Sequence, residues 1–330
     1  MEAVVGLDLH LKKTQGTVMD KEGIVLKADR FETTKEGVSK FLESVPKGSI
    51  VALEALGFCW PWIDFIEELG YVPKLASPSK LKVIADTRIK TDKIDSETIA
   101  QLARMGWLPE SYVPTKEFRR LRSLVRHRSG LVKIATMCKN RTKASLRKYG
   151  MNGDMNLKTA LGKKLAESSG LLEVEQNLCV LENVEELIKQ DEKMLEKQYG
   201  NEEAMQILQS IPGFGLINAL CIYAEVCNIE RFASTDKFAH YCGLAPSTRQ
   251  SGENTYNGKM MKANKWLKWA MIEATWMHVF HCQGSRITKA YKSAYRRKKN
   301  KNKAIVVAAR KMTNVIYHIW KNNEKFNINA

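Results

Sequence analysis

The sequence predicts a mixed α/β N-terminal domain, a helical coiled-coil middle and a mainly α C-terminal domain. Three observations carry the prediction. Over the first third of the chain, apolar runs of strand length alternate with helix-patterned stretches, the pattern of strands and helices sharing one core. From about Pro114 the pattern changes to two long helical stretches, one strongly basic and one acidic. Beyond Met205, aromatic-rich helical patterns flank a Pro-Gly turn and a Gly/Ser/Asn-rich segment.

Residues 3–31 hold three strand-like runs, "AVVGLDLHL", "TQGTVMD" and "IVLKADRF", with turn chemistry in "DKEG" between the second and third. Such spacing predicts an antiparallel meander. A helix follows in "KEGVSKFLESV", then a buried strand in "SIVALEAL", a helix in "PWIDFIEELG" and a short strand in "YVPKLA". "SPSKLKVIADT" opens with a cap-like Ser-Pro-Ser, and a helix runs through "DKIDSETIAQLARMG". Residues 1–112 thus read in the order βββαβαβα. That order resembles the ribonuclease-H-type (RuvC-like) α/β fold, a mixed sheet flanked by helices.

Residues 113–204 form the helical middle. The stretch from Lys116 to Lys148 places Phe118, Leu121, Leu124, Leu131 and Ala135 at helical spacing among many cations. After "MNGDMN" and a less regular segment comes an acidic arm with Val174, Leu178, Leu181, Ile188 and Leu195 at heptad-like intervals. Opposite charges on the two arms predict an antiparallel coiled-coil hairpin or an oligomerisation element, with a plain helical bundle equally compatible. In residues 205–330, "LQSIPGFGLINALCIYAEV" has a helix-hairpin-helix form, in which glycines bring backbone N–H groups close to a phosphate. The segment Gly243 to Gly258 is expected to be an exposed loop between helices. Near the C-terminal end a basic block, Arg296 to Lys303, precedes an apolar helix.

Of the 330 residues, 53 are Lys or Arg and 36 are Asp or Glu, a formal net charge of +17. That surplus favours a polyanionic partner, nucleic acid first and an anionic membrane surface second. No apolar run approaches the ~20 residues that span a bilayer, and "MEAVVGLDLH" lacks the basic start of a signal peptide. Seven scattered cysteines with no C-x-x-C pair read as reduced thiols of a cytoplasmic protein. His278 and His281, without a spaced set of Cys/His partners, read as packing residues.

Four acids stand where apolar residues are expected. Asp8 lies inside the first strand, and Glu54 near the end of the central buried run. Asp92 and Asp95 share one helix face with Ile99, Leu102 and Ala103, so they extend an inward apolar stripe. Each acid alone is compatible with a salt bridge to one of many lysines or an edge position. Together, four converging negative charges call for cations between them. Hard oxygen donors of this kind suit Mg2+ or Mn2+, and two such ions about 4 Å apart clamp the oxygens of a phosphodiester displacement.

Asp8, Glu54, Asp92 and Asp95 match the D-E-D-D pattern of RuvC-like nuclease domains. "KTDKIDSETIAQLAR" resembles the signature of the DEDD transposases of the insertion-sequence "one-ten" family. "IPGFG" followed by "FASTDKFAHYCGLAPSTRQSGE" and "GKMMKANKWLKWAMIEA" is similar to that family's C-terminal transposase domain. The resemblance covers nearly the whole chain. It implies a site-specific recombinase of a mobile element, of a bridge-RNA-guided serine type, working as dimers to tetramers on donor and target DNA. The four acids would be the metal ligands, and Ser251 of "RQSGE" would be the nucleophile, with Arg249, Lys259 and Lys262 steadying phosphate charge. No His lies beside Ser251, so nearby metal is its natural activator. The implied setting is the bacterial or archaeal cytoplasm, at the nucleoid.

Three other readings compete with this one. A hydrolytic nuclease of the Holliday-junction resolving type needs only the four carboxylates. A kinase or chaperone ATPase with a related sheet needs glycine-rich phosphate loops, and "GLDLHLKKTQG" has no Gly pair after Asp8. A non-catalytic nucleic-acid scaffold needs neither site.

Overall fold

The computed structural model describes residues 3–78, 80–81, 92–251, 254–260 and 263–328. Ser79 of the Ser-Pro-Ser start, and the Lys90–Thr91 part of the signature, lie outside the described residues. The chain forms two compact units, Met1–Val113 and Pro114–Ala330.

In the first unit the strands β1 (Val4–Asp8), β2 (Lys13–Met19), β3 (Val25–Glu32), β4 (Ile50–Glu54) and β5 (Val72–Ala76) make one sheet in the order β3-β2-β1-β4-β5. The meander β1-β2-β3 is antiparallel, and β4 and β5 add in parallel to β1. Gly23 closes the β2–β3 turn with φ +91, a conformation open to glycine, and its N–H bonds to the Asp20 carbonyl.

Side chains alternate across this sheet, and the alternation sorts the helices. Val5, Leu7, Val51, Leu53 and Leu75 face α1 (Lys35–Leu42) and α2 (Trp60–Glu68), whose Phe41, Ile63 and Ile66 fill that layer. The opposite face carries small residues, Gly6, Ala52 and Ala76, under α3 (Asp92–Arg104). Gly6 has a specific reason. A Cβ there would stand 2.1 Å from the Ser96 carbonyl oxygen and 2.6 Å from the Ala100 nitrogen. A buried hydrogen bond, Thr17 Oγ1 to Ser96 Oγ at 2.9 Å, fastens α3 to β2 as well.

The second unit begins with α4 (Lys116–Lys148), α5 (Ala160–Glu167) and α6 (Leu172–Tyr199). α4 and α6 form an antiparallel hairpin whose seam holds Leu131, Ala135 and Cys138 against Val174, Leu178, Leu181 and Val184. Ion pairs line it: Arg128 to Glu192 at 2.5 Å and Lys139 to Glu185 at 2.7 Å. The heptad face of the acidic arm is therefore used within the chain, as the hairpin alternative expects. The segment between the arms, read as irregular, contains α5, capped by Thr159 Oγ1 accepting from the Gly162 N–H.

The remaining helices are α7 (Glu203–Gln209), α8 (Leu216–Val226), α9 (Thr235–Tyr241), α10 (Lys265–His281), α11 (Arg286–Lys298) and α12 (Lys301–Lys321). They share one core with Leu121 and Val125 of α4 and with Leu195 and Tyr199 of α6. Between α9 and α10 the expected loop is instead a two-stranded hairpin, β6 (Pro246–Ser251) and β7 (Asn254–Met260). Glycine and asparagine content suggested a loop, but Thr248 and Gln250 pair in register with Asn257 and Thr255, and short two-stranded ribbons tolerate such composition.

Candidate active site

Asp8 ends β1 and Glu54 ends β4, at the carboxyl ends of adjacent parallel strands, with Leu7 and Leu53 paired one residue earlier. Open α/β sheets bind ligands at such strand ends. α3 begins at Asp92 above the same rim, because Gly6 and Ala100 let its axis lie close on β1. Asp8, Glu54, Asp92 and Asp95 consequently line one cleft of about 960 Å³, together with Arg30, Lys12 and Lys13.

The four acids do not share one environment. Asp8 is only 5% exposed, whereas the Asp92 side chain is 41% exposed. The helix stripe that buries Ser96, Ile99 and Ala100 runs on past the sheet rim, so its two aspartates face an open cleft. That corrects the expectation of carboxylates aimed into the core. It also relaxes the demand for metal, since neighbouring protein groups share the balancing. Arg30 Nη2 stands 3.3 Å from Asp92 Oδ2, and His10 Nε2 stands 3.1 Å from Asp8 Oδ2 and 3.6 Å from Asp92 Oδ1. Burial pushes the Asp8 carboxyl above its ordinary range; His10 opposes the rise, and the charges of Asp92 and Asp95 add to it.

Sequence reasoning missed His10 and Arg30. His10 was within reach, two residues after Asp8, whereas Arg30 is brought there by the meander register, which aligns Asp8 with Gln15 and Gln15 with Arg30. Asp8, His10 and Asp92 each offer a ligand atom, all within 4.8 Å of one another. This donor set, mainly carboxylate oxygen, fits Mg2+ or Mn2+.

Ser251 belongs to the second unit, as the last residue of β6, paired with Asn254. It therefore belongs to a strand of a hairpin and not to the expected loop. Arg249 lies in β6 opposite Tyr256, Lys259 lies in β7, and Lys262 lies outside the described residues. Asn264 caps α10 by accepting from the Trp266 and Leu267 N–H groups, and its amide donates to Glu225 Oε2 at 2.5 Å. Buried Glu225 is in turn gripped by Arg126 at 2.8 and 2.9 Å, two bonds whose fork geometry suits a desolvated carboxylate.

The Pro-Gly turn joins α7 to α8 as expected, but its glycines differ. Gly213, at φ +90, has the Met277 and His278 backbone 2.6 Å from where a Cβ would be, so it serves packing. Gly215 is exposed with open space around it. His278 is buried, donating from Nδ1 to the Pro212 carbonyl and accepting at Nε2 from Ser285 Oγ, each at 2.9 Å. Burial pulls its pKa down, in keeping with a neutral packing residue. Among the described residues, no helix is long and apolar enough to cross a membrane.

Comparison with known proteins gives two family matches in chain order. A DEDD transposase profile of the IS110 type matches residues 5–151, and one described as "Transposase IS116/IS110/IS902 family" matches residues 205–292. A transposase for insertion sequence element IS1111A from Coxiella burnetii is 25% identical over 99% of this chain and 92% of its own length. A transposase for insertion sequence element IS1328 from Yersinia enterocolitica is 24% identical over 87% of each chain.

Proposed function

The chain belongs to the IS110 family of insertion-sequence transposases, enzymes of DNA transposition, and from that premise we propose that it cuts and rejoins DNA at the acid-lined cleft with Ser251 as the attacking group. The observation that carries the reading is the meeting of Asp8, Glu54, Asp92 and Asp95 on one open cleft. In this reading the four acids hold Mg2+ or Mn2+, which when bound would stabilise charge developing on the scissile phosphate. Arg30, Lys12 and Lys13 receive the DNA backbone on the same cleft wall. Asp8, held by His10, keeps a fixed oxygen at the strand end.

The Ser251 hydroxyl attacks phosphorus. A phosphorus–oxygen bond to the serine forms, the bond to the 3′-oxygen breaks, and the serine proton balances the one taken up by the departing 3′-hydroxyl. The resulting 5′-phosphoserine keeps the bond energy, so a new 3′-hydroxyl reverses the step without ATP. Arg249, Lys259 and Lys262 steady the phosphate. "Serine recombinase" is not kept as a class name, because the matched family is one of DEDD transposases; the serine enters as proposed chemistry.

Sequence choice falls to an element-encoded bridge RNA that pairs with donor and target DNA, with the protein gripping backbones through its +17 charge. The working particle is a homo-oligomer, dimer to tetramer, acting on nucleoid DNA in the cytoplasm. Its labour divides among a RuvC-like domain (1–112), the helical middle (113–204) and the serine-bearing domain (205–330).

A second reading, hydrolysis, needs only the four carboxylates of the cleft. A trapping experiment separates the two. Denaturing gels should show DNA covalently held by the wild-type protein and none by Ser251→Ala, while Asp8→Asn abolishes all cleavage. Full recombination by Ser251→Ala would defeat the serine step in favour of water.

A further inference from the structure

Beside the four carboxylates stands one nitrogen donor. We propose that His10 is a direct ligand of the divalent ion in this cleft and tilts its preference from Mg2+ toward Mn2+. The inference rests on the metal-dependent reading above.

Spacing supports it first. Neighbouring ligands of an octahedral ion at about 2.1 Å lie about 3.0 Å apart. His10 Nε2 and Asp8 Oδ2 are 3.1 Å apart, so they already stand like adjacent corners of such a shell. Asp92 Oδ1, at 3.6 Å from the same nitrogen, completes the set with a closure of roughly half an ångström. Placement agrees. The His10 side chain is 55% exposed and lines the cleft, which leaves room for the water ligands that hard divalent ions retain. So does counter-charge: Asp92 has Arg30 at 3.3 Å, so His10 is not needed as its cation. Mg2+ prefers oxygen and dehydrates reluctantly, whereas imidazole binds later first-row ions more strongly, so a nitrogen corner favours Mn2+.

The test uses the full chain with Mn2+ alone and no nucleic acid. Pulsed electron paramagnetic resonance should show the hyperfine coupling of one directly bound imidazole nitrogen. In His10→Gln, with His10→Asn as a second variant, that coupling should vanish. Mn2+ affinity should fall roughly tenfold while Mg2+ affinity, read by competition, hardly moves. Suppose Asp8→Asn abolishes Mn2+ binding but the wild-type spectrum lacks the nitrogen coupling, or the coupling survives in both His10 variants. The ligand assignment is then overturned, and the carboxylate reading stands. Equal Mn2+ binding by wild type, Asp8→Asn and Asp92→Asn overturns both.

Discussion

Asp8 shows what the site costs at the scale of one residue. A carboxylate that is 5% exposed and beside two further acids is held where its charge is disfavoured. Its folded pKa is raised above the ordinary 3.8. Such a group adds stability that is complete below its unfolded pKa and is lost as pH rises through the folded one. The metal-free wild type is therefore expected to lose stability as pH climbs above the carboxylate range. Asp8→Asn, which keeps the shape and removes the charge, should raise the neutral-pH melting temperature by about 3 °C, on the order of 1 kcal/mol. It should also flatten that part of the pH profile. Calorimetry with and without Mg2+ checks both points: added Mg2+ should stabilise the wild type by mass action and leave the variant unmoved. A variant no more stable than the wild type would mean that His10 and solvent fully compensate the charge.

At the scale of elements, the site is a question of how closely one helix approaches one strand. Gly6 meets the backbone of α3, not a flexible side chain, so a methyl group there cannot be accommodated by a rotamer change. Gly6→Ala should lift the N-terminal end of α3 off β1 and carry Asp92 and Asp95 away from Asp8. Cleavage should fall at least about a hundredfold, as misplacement of about an ångström commonly does, with a stability loss of about 3 kcal/mol by denaturant titration. This packing also explains what was legible in the sequence. The strand-length apolar runs around Val5, Leu7, Val51 and Leu53 marked a sheet, and the three-residue step from Asp92 to Asp95 marked a helix face. Where that face emerged was not legible, since periodicity gives direction and not depth. The β6–β7 hairpin escaped because it is made by cross-strand pairing, which composition does not show. Arg30 required the strand register, which only a folded meander supplies, whereas His10 stands two residues after Asp8.

Across the whole molecule, two cations of the excess, Lys301 and Lys303, stand against the interest of the fold, and that is a sign that they serve a ligand. Arg296, Arg297 and Lys298 close α11, where cations suit the helix dipole. Lys299 follows in the left-handed conformation at φ 49, unusual for a residue with a side chain. Lys301 and Lys303 then open α12, whose first turn holds no acid, so two cations crowd the positive end of a helix. A sequence selected for stability alone would put Glu there. Exchanging both lysines, Lys301→Glu with Lys303→Glu, should therefore raise the melting temperature of metal-free protein while weakening its binding to DNA. Each phosphate that is no longer neutralised by a cation lowers the slope of log K against log salt by about one, so the double variant should bind DNA with a slope shallower by about two. Opposite signs in the two measurements are what a functional patch predicts. A solvated basic face, by contrast, would gain stability with no change in the salt slope, and that result would move the nucleic-acid grip elsewhere on the surface.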